Sequence, residues 1–85
     1  MLERDLQVNH PLGLHAQASA KIVQTLTAFR SQAFLQAKGR EVNAKSIMGV
    51  MLLAAGPGTT IRARVQGDDE AEAMAALVAL FDSGL

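Results

Sequence analysis

His15 is the side chain whose type and neighbours together point to covalent chemistry. It follows the apolar, glycine-containing approach Leu12-Gly13-Leu14 and immediately precedes Ala16-Gln17-Ala18-Ser19-Ala20, the start of an alanine-rich helical pattern. At such a boundary the first backbone N–H groups of the helix lack intrahelical acceptors, and the macrodipole presents partial positive charge. An anion held on or beside the ring would meet ready-made donors, and phosphate is the anion to suspect. The ring itself is suited to the task, because a neutral imidazole is nucleophilic near neutral pH and a phosphorylated ring nitrogen stays labile. Taken alone, the same residue also reads as a polar side chain beside a helix cap.

Ser46 has two compatible readings. As an N-cap its oxygen would satisfy a free amide, worth about 1 kcal/mol, and as a modification site it would carry phosphate. Other constellations lead nowhere. His10 and His15 have no Cys or carboxylate cluster at zinc spacing, so no metal is expected. A Ser-His-Asp triad has no nucleophile elbow to support it. Asp68-Asp69-Glu70 reads as helix capping, with Asp69 and Glu72 at capping-box spacing, and Lys38-Gly39-Arg40 is too short to cradle phosphate.

The elements that must position these residues follow from periodicity. Leu2, Leu6 and Val8 alternate with Glu3, Asp5 and Gln7 as in a half-buried strand, broken by Pro11 and Gly13. Ala18, Ile22, Val23, Leu26 and Phe29 recur at helical spacing over residues 16–29, with Ser19 and Lys21 expected at solvated positions. Residues 33–37 and 40–43 read as strands joined by a Lys38-Gly39 hairpin. Residues 43–56 read as a short helix with N-cap candidates at its start and Gly56 as its C-cap, apolar nearly all round. Val50, Leu52 and Leu53 are its core candidates. Ile61, Ala63 and Val65 alternate with Arg62, Arg64 and Gln66, which places the arginines toward solvent or a sheet rim. Residues 70–81 complete the set as a helix presenting Met74, Leu77, Val78 and Phe81 on one face. Strand, helix, strand, strand, helix, strand, helix predicts an α+β two-layer sandwich with helices gathered on one face of an antiparallel sheet.

An 85-residue chain fits a single domain over 1–85, too small for a separate catalytic or nucleotide-binding unit. Eight basic and eight acidic residues cancel, and the aromatic content of 4% offers few stacking platforms, which together argue against nucleic-acid binding. The absence of Cys excludes disulfides and thiolate metal sites. The charged start Met1-Leu2-Glu3-Arg4-Asp5 is unlike a signal peptide and no window approaches a membrane span, so a cytoplasmic protein without membrane insertion is expected.

Two segments in register, Leu12-Gly13-Leu14-His15-Ala16 and Val42-Asn43-Ala44-Lys45-Ser46-Ile47-Met48-Gly49-Val50-Met51, resemble HPr. This is the family of histidine-containing phosphocarriers of the bacterial phosphoenolpyruvate-dependent phosphotransferase system. The resemblance spans essentially the whole chain. It implies an open-faced sandwich of four antiparallel strands and three helices, and a carrier, not an enzyme, that uses no cofactor. In that scheme Nδ1 of His15 accepts a phosphoryl group from enzyme I and passes it to enzyme IIA domains, in sugar uptake or a nitrogen-related branch. Ser46 would be the regulatory acceptor of an HPr kinase/phosphorylase, and Ile47, Met48 and Met51, with Lys45 for electrostatic steering, would form the docking face of an expected monomer. A different class of protein, a regulatory module that binds kinases or transcription regulators through the same face without transferring phosphate, is the alternative. Gln17 departs from the family pattern, where arginine usually contacts the phosphoryl group. Exchanging a charged hydrogen bond for a neutral one costs on the order of 1 kcal/mol, several-fold in transfer. Ala18, where many relatives have proline, only removes preorganisation of the first turn.

Overall fold

The alternating and helical periodicities resolve, in a computed structural model describing residues 1–85, into seven elements. They are β1 (Leu2–Gln7), α1 (Ala16–Thr27), β2 (Gln32–Ala37), β3 (Arg40–Asn43), α2 (Ile47–Leu52), β4 (Thr60–Gln66) and α3 (Glu70–Asp82). The strands form one antiparallel sheet in the order β1-β4-β2-β3. Register aligns the apolar residues across the ladder: Leu6 lies opposite Ile61, Ala63 opposite Leu35, and Leu35 opposite Val42. Because side chains alternate along each strand, all of these point to the helical layer, where they meet Ala18, Ile22 and Leu26 of α1, Val50 of α2 and Met74, Leu77 and Phe81 of α3 in one buried cluster. The opposite face is open and polar. Arg62 there bridges Glu3 and Asp5, while Arg64 pairs with Glu41 and lies 5.7 Å over the Phe34 ring. This is the open-faced α+β sandwich expected. Lys38 and Gly39 both adopt positive φ, as a two-residue hairpin of right-handed twist requires.

Five local expectations are corrected. Helix α2 is shorter than 43–56: Ser46 caps its start and Ala54, at φ 49°, reverses the chain where Gly56 was expected to. Leu52 is not core but 59% exposed, because it stands one helical turn from Met48 and shares its outward face, whereas Val50 and Leu53 point inward. Ser19 is fully buried, sitting beside the Ala18, Ile22 and Leu26 stripe, and Lys21 donates to the Leu85 carbonyl at 3.0 Å instead of being simply solvated.

The fifth correction concerns the start of α3. Asp69 occupies the N-cap but makes no capping bond, and no box forms with Glu72. Its carboxylate instead accepts from the Ser31 hydroxyl and from the backbone N–H groups of Arg30 at 2.9 Å and Ser31 at 3.0 Å. These donors, the Ser31 hydroxyl foremost, hold the Asp69 carboxyl below the usual carboxylate range. Asp69 thereby ties the segment after α1 to the start of α3.

Candidate functional site

His15 is the N-cap of α1, with extended backbone at φ −78° and ψ −178°. Three contacts put it there. Gly13 turns the chain at φ 68°, closed by its N–H to the His10 carbonyl at 2.9 Å; Leu14 donates to the Ala55 carbonyl at 2.9 Å; and the His15 carbonyl accepts from Ser19 at 2.9 Å to open the helix. Gly13 is obligatory in this arrangement, because a Cβ at that position would stand 2.4 Å from the Ala55 oxygen and 2.8 Å from the Gly56 Cα.

The imidazole completes the cap. Nδ1 accepts from the Gln17 backbone N–H at 3.2 Å, so its lone pair is directed at the helix start, and a neutral ring of this kind carries its proton on Nε2. Nε2 is buried and has no hydrogen-bond partner. No acidic residue lies in the first turn of α1, so no carboxylate of its own competes for its free amides. The Gln17 side chain is exposed and makes no hydrogen bond; this residue's contribution to the ring is its backbone amide.

Exposed apolar side chains occur in the loop leading to His15 and on α2. Leu12, in the loop before His15, and Met48, on α2, are 72% and 76% exposed, and Ile47, Met51 and Leu52 are further large exposed hydrophobics of α2. Of the residues expected from the sequence to serve docking, Ile47, Met48 and Met51 are exposed on α2, and Leu52 of the same helix and Leu12 of the loop before His15 are exposed as well. Both were missed, Leu52 because an all-apolar six-residue helix has no polar stripe to mark its outer side. Ser46 stands at the edge of the patch and its Oγ accepts from the Gly49 N–H at 3.1 Å. Lys45 is not a free steering charge: its Nζ donates to the Phe29 carbonyl at 2.7 Å, tethering the loop before α2 to the end of α1. The larger concavity, about 460 Å³ between β1 and α3, shares no residue with this site. No helix is long and apolar enough to cross a membrane.

A family model described as the PTS HPr component phosphorylation site matches residues 2–83. The chain belongs to the HPr family. Among its HPr relatives, the phosphocarrier protein HPr of Xylella fastidiosa (strain Temecula1) is 61% identical over 98% of this chain and 93% of its own length. The crystal structure of HPr-C-His from Thermoanaerobacter tengcongensis superposes with a TM-score of 0.95 at 42% identity, covering 99% of this chain and 94% of that one. The HPr-like fold extends to Crh of Bacillus subtilis, 40% identical with a TM-score of 0.79 over 100% of this chain and 98% of that one, whose crystal structure is a dimer built by a swapped domain.

One neighbour of the HPr site was not foreseen. The His10 ring packs against His15 with centroids 4.6 Å apart and planes tilted by 59°, and its own Nδ1 accepts from the Leu12 N–H at 3.0 Å. The sequence paired His10 with His15 only as potential metal ligands lacking further support, with Pro11 and Gly13 breaking the strand; the turn that folds His10 back onto His15 depends on Gly13.

Proposed function

We propose that this chain is a cytoplasmic phosphocarrier in which Nδ1 of His15 accepts a phosphoryl group from enzyme I and delivers it to enzyme IIA domains. The observation that carries the reading is the Nδ1 lone pair aimed at the open start of α1. On transfer, a bond forms from Nδ1 to phosphorus as the bond from phosphorus to the donor breaks, its electron pair leaving with the donor. The Gln17 N–H then turns from the ring to a phosphoryl oxygen, and the neighbouring free amides of the first turn share the charge. The reverse geometry serves delivery, since the group stays at the surface of a half-buried residue where a partner can reach it.

Ile47, Met48, Met51, Leu52 and Leu12 form the docking face, its methionines suited to partners of different shape. Ser46 is the candidate acceptor for an HPr kinase/phosphorylase: phosphate there would add about −1.5 to −2 charge at the rim of that face, at a helix start that tolerates it. A monomer fits a carrier that exchanges partners through this face. The decisive experiment incubates the protein with phosphoenolpyruvate and enzyme I and follows intact mass under neutral conditions. An acid-labile gain of one phosphoryl group in wild type, absent in His15→Ala, is expected; no gain with an active enzyme I would favour the non-transferring regulatory module.

A further inference from the structure

We propose that His10 is a positioning residue that decides which nitrogen of His15 is phosphorylated, by covering Nε2 with its ring while Nδ1 faces the start of α1. The inference rests on the reading of His15 as the phosphoryl acceptor. Both nitrogens of a free imidazole are competent nucleophiles, so a single product needs a cause outside the ring. In this chain Nδ1 faces the helix start, whereas Nε2 is buried without a hydrogen-bond partner and the aromatic ring packed on this imidazole is that of His10. The rings meet tilted by 59° with centroids 4.6 Å apart, a close aromatic contact in the range of favourable ring pairs. The cover is itself fixed, because the Leu12 N–H donates to His10 Nδ1 at 3.0 Å and Gly13 closes the same turn on the His10 carbonyl. A phosphoryl group on Nδ1 reaches free amides of α1; on Nε2, the buried atom, it would have to displace the half-buried His10 ring packed on the imidazole. Throughout the transfer Nε2 keeps its proton.

Phosphoramidate, a small donor that needs no docking surface, separates this inference from the carrier reading. The protein is treated with it and the position of phosphate on His15 is read by 15N-edited NMR, with His15→Ala identifying the His15 signals. Wild type should give the Nδ1 adduct alone. His10→Asn removes the ring but keeps a short acceptor for the Leu12 N–H, and should give both adducts. His10→Phe keeps a ring and loses the acceptor, and should return to Nδ1 alone. An Nε2 adduct in wild type, exclusive Nδ1 labelling in His10→Asn, or mixed labelling in His10→Phe would each overturn the assignment. Because enzyme I is absent, its failure to phosphorylate the protein would strike the carrier reading and leave this result intact.

Discussion

Replacing Gly13 by alanine should damage fold and site together. A residue with a Cβ at φ 68° incurs about 1–2 kcal/mol of left-handed strain. The new methyl carbon would also lie 2.4 Å from the Ala55 oxygen and 2.8 Å from the Gly56 Cα, both backbone atoms that cannot rotate aside. The two segments must separate, and the Leu14 to Ala55 hydrogen bond that joins them is lost or stretched, at about 0.5–1.5 kcal/mol. Alanine restricts the unfolded chain and returns about 0.4–1 kcal/mol. The net destabilisation is about 2 kcal/mol, which for a domain of this size lowers Tm by roughly 10 °C. Since the His15 N–H donates to the Gly13 carbonyl, the ring moves with the loop, and a displacement near 1 Å would slow phosphoryl transfer by about 100-fold. Thermal unfolding by circular dichroism and rapid-quench transfer from phosphorylated enzyme I measure the two effects. A Tm within about 2 °C of wild type together with an unchanged transfer rate would refute the account of Gly13.

Further substitutions probe the remaining contacts. Gln17→Arg, adding a charged donor beside the ring, should raise transfer several-fold, about 1 kcal/mol; an unchanged rate in the same quench assay would mean that only the backbone of residue 17 matters. Ser46→Ala should lower stability by about 1 kcal/mol in denaturant titrations, while Ser46→Asp, still able to accept the Gly49 N–H at a helix start, should stay within about 0.5 kcal/mol of wild type. Ala54→Gly should stabilise by about 0.5–1 kcal/mol, since relief of strain at φ 49° outweighs the freer unfolded chain. Asp69 has a folded pKa depressed below the unfolded value of about 3.9, so its contribution is complete above that pH and disappears as pH falls through the folded value. Asp69→Asn should therefore be less stable than wild type at neutral pH, with the gap between their denaturation midpoints closing in acid; a gap independent of pH would exclude the carboxylate as its source.

Local signals and long-range ones differed sharply in how far the sequence exposed them. All seven elements and the place of His15 at a helix start could be read because periodicity and the Gly13-containing approach are local features. Asp69 looked like a cap because its actual partners, Arg30 and Ser31, lie far back in the chain and meet it only after α1 and α3 pack. Lys45 looked free for the same reason, its acceptor being the Phe29 carbonyl. Leu52 and Gly56 were misplaced because a short apolar helix leaves both its end and its outer face undetermined until it settles on the sheet. The His10 contact required the three-dimensional path of the turn, which no spacing encodes.

The three lysines share a feature with practical consequences. Lys21, Lys38 and Lys45 each donate to a main-chain carbonyl distant in sequence, those of Leu85, Ala54 and Phe29. Amine-directed reagents would accordingly compete with the fold itself: acetylating or dye-coupling Nζ removes a donor that fastens a helix end or loop, as well as a charge. A fluorescent label for following partner exchange is better introduced at the exposed Gln36 on the open sheet face, as cysteine in a chain that has none, where it disturbs neither the helix ends nor the His15 surface.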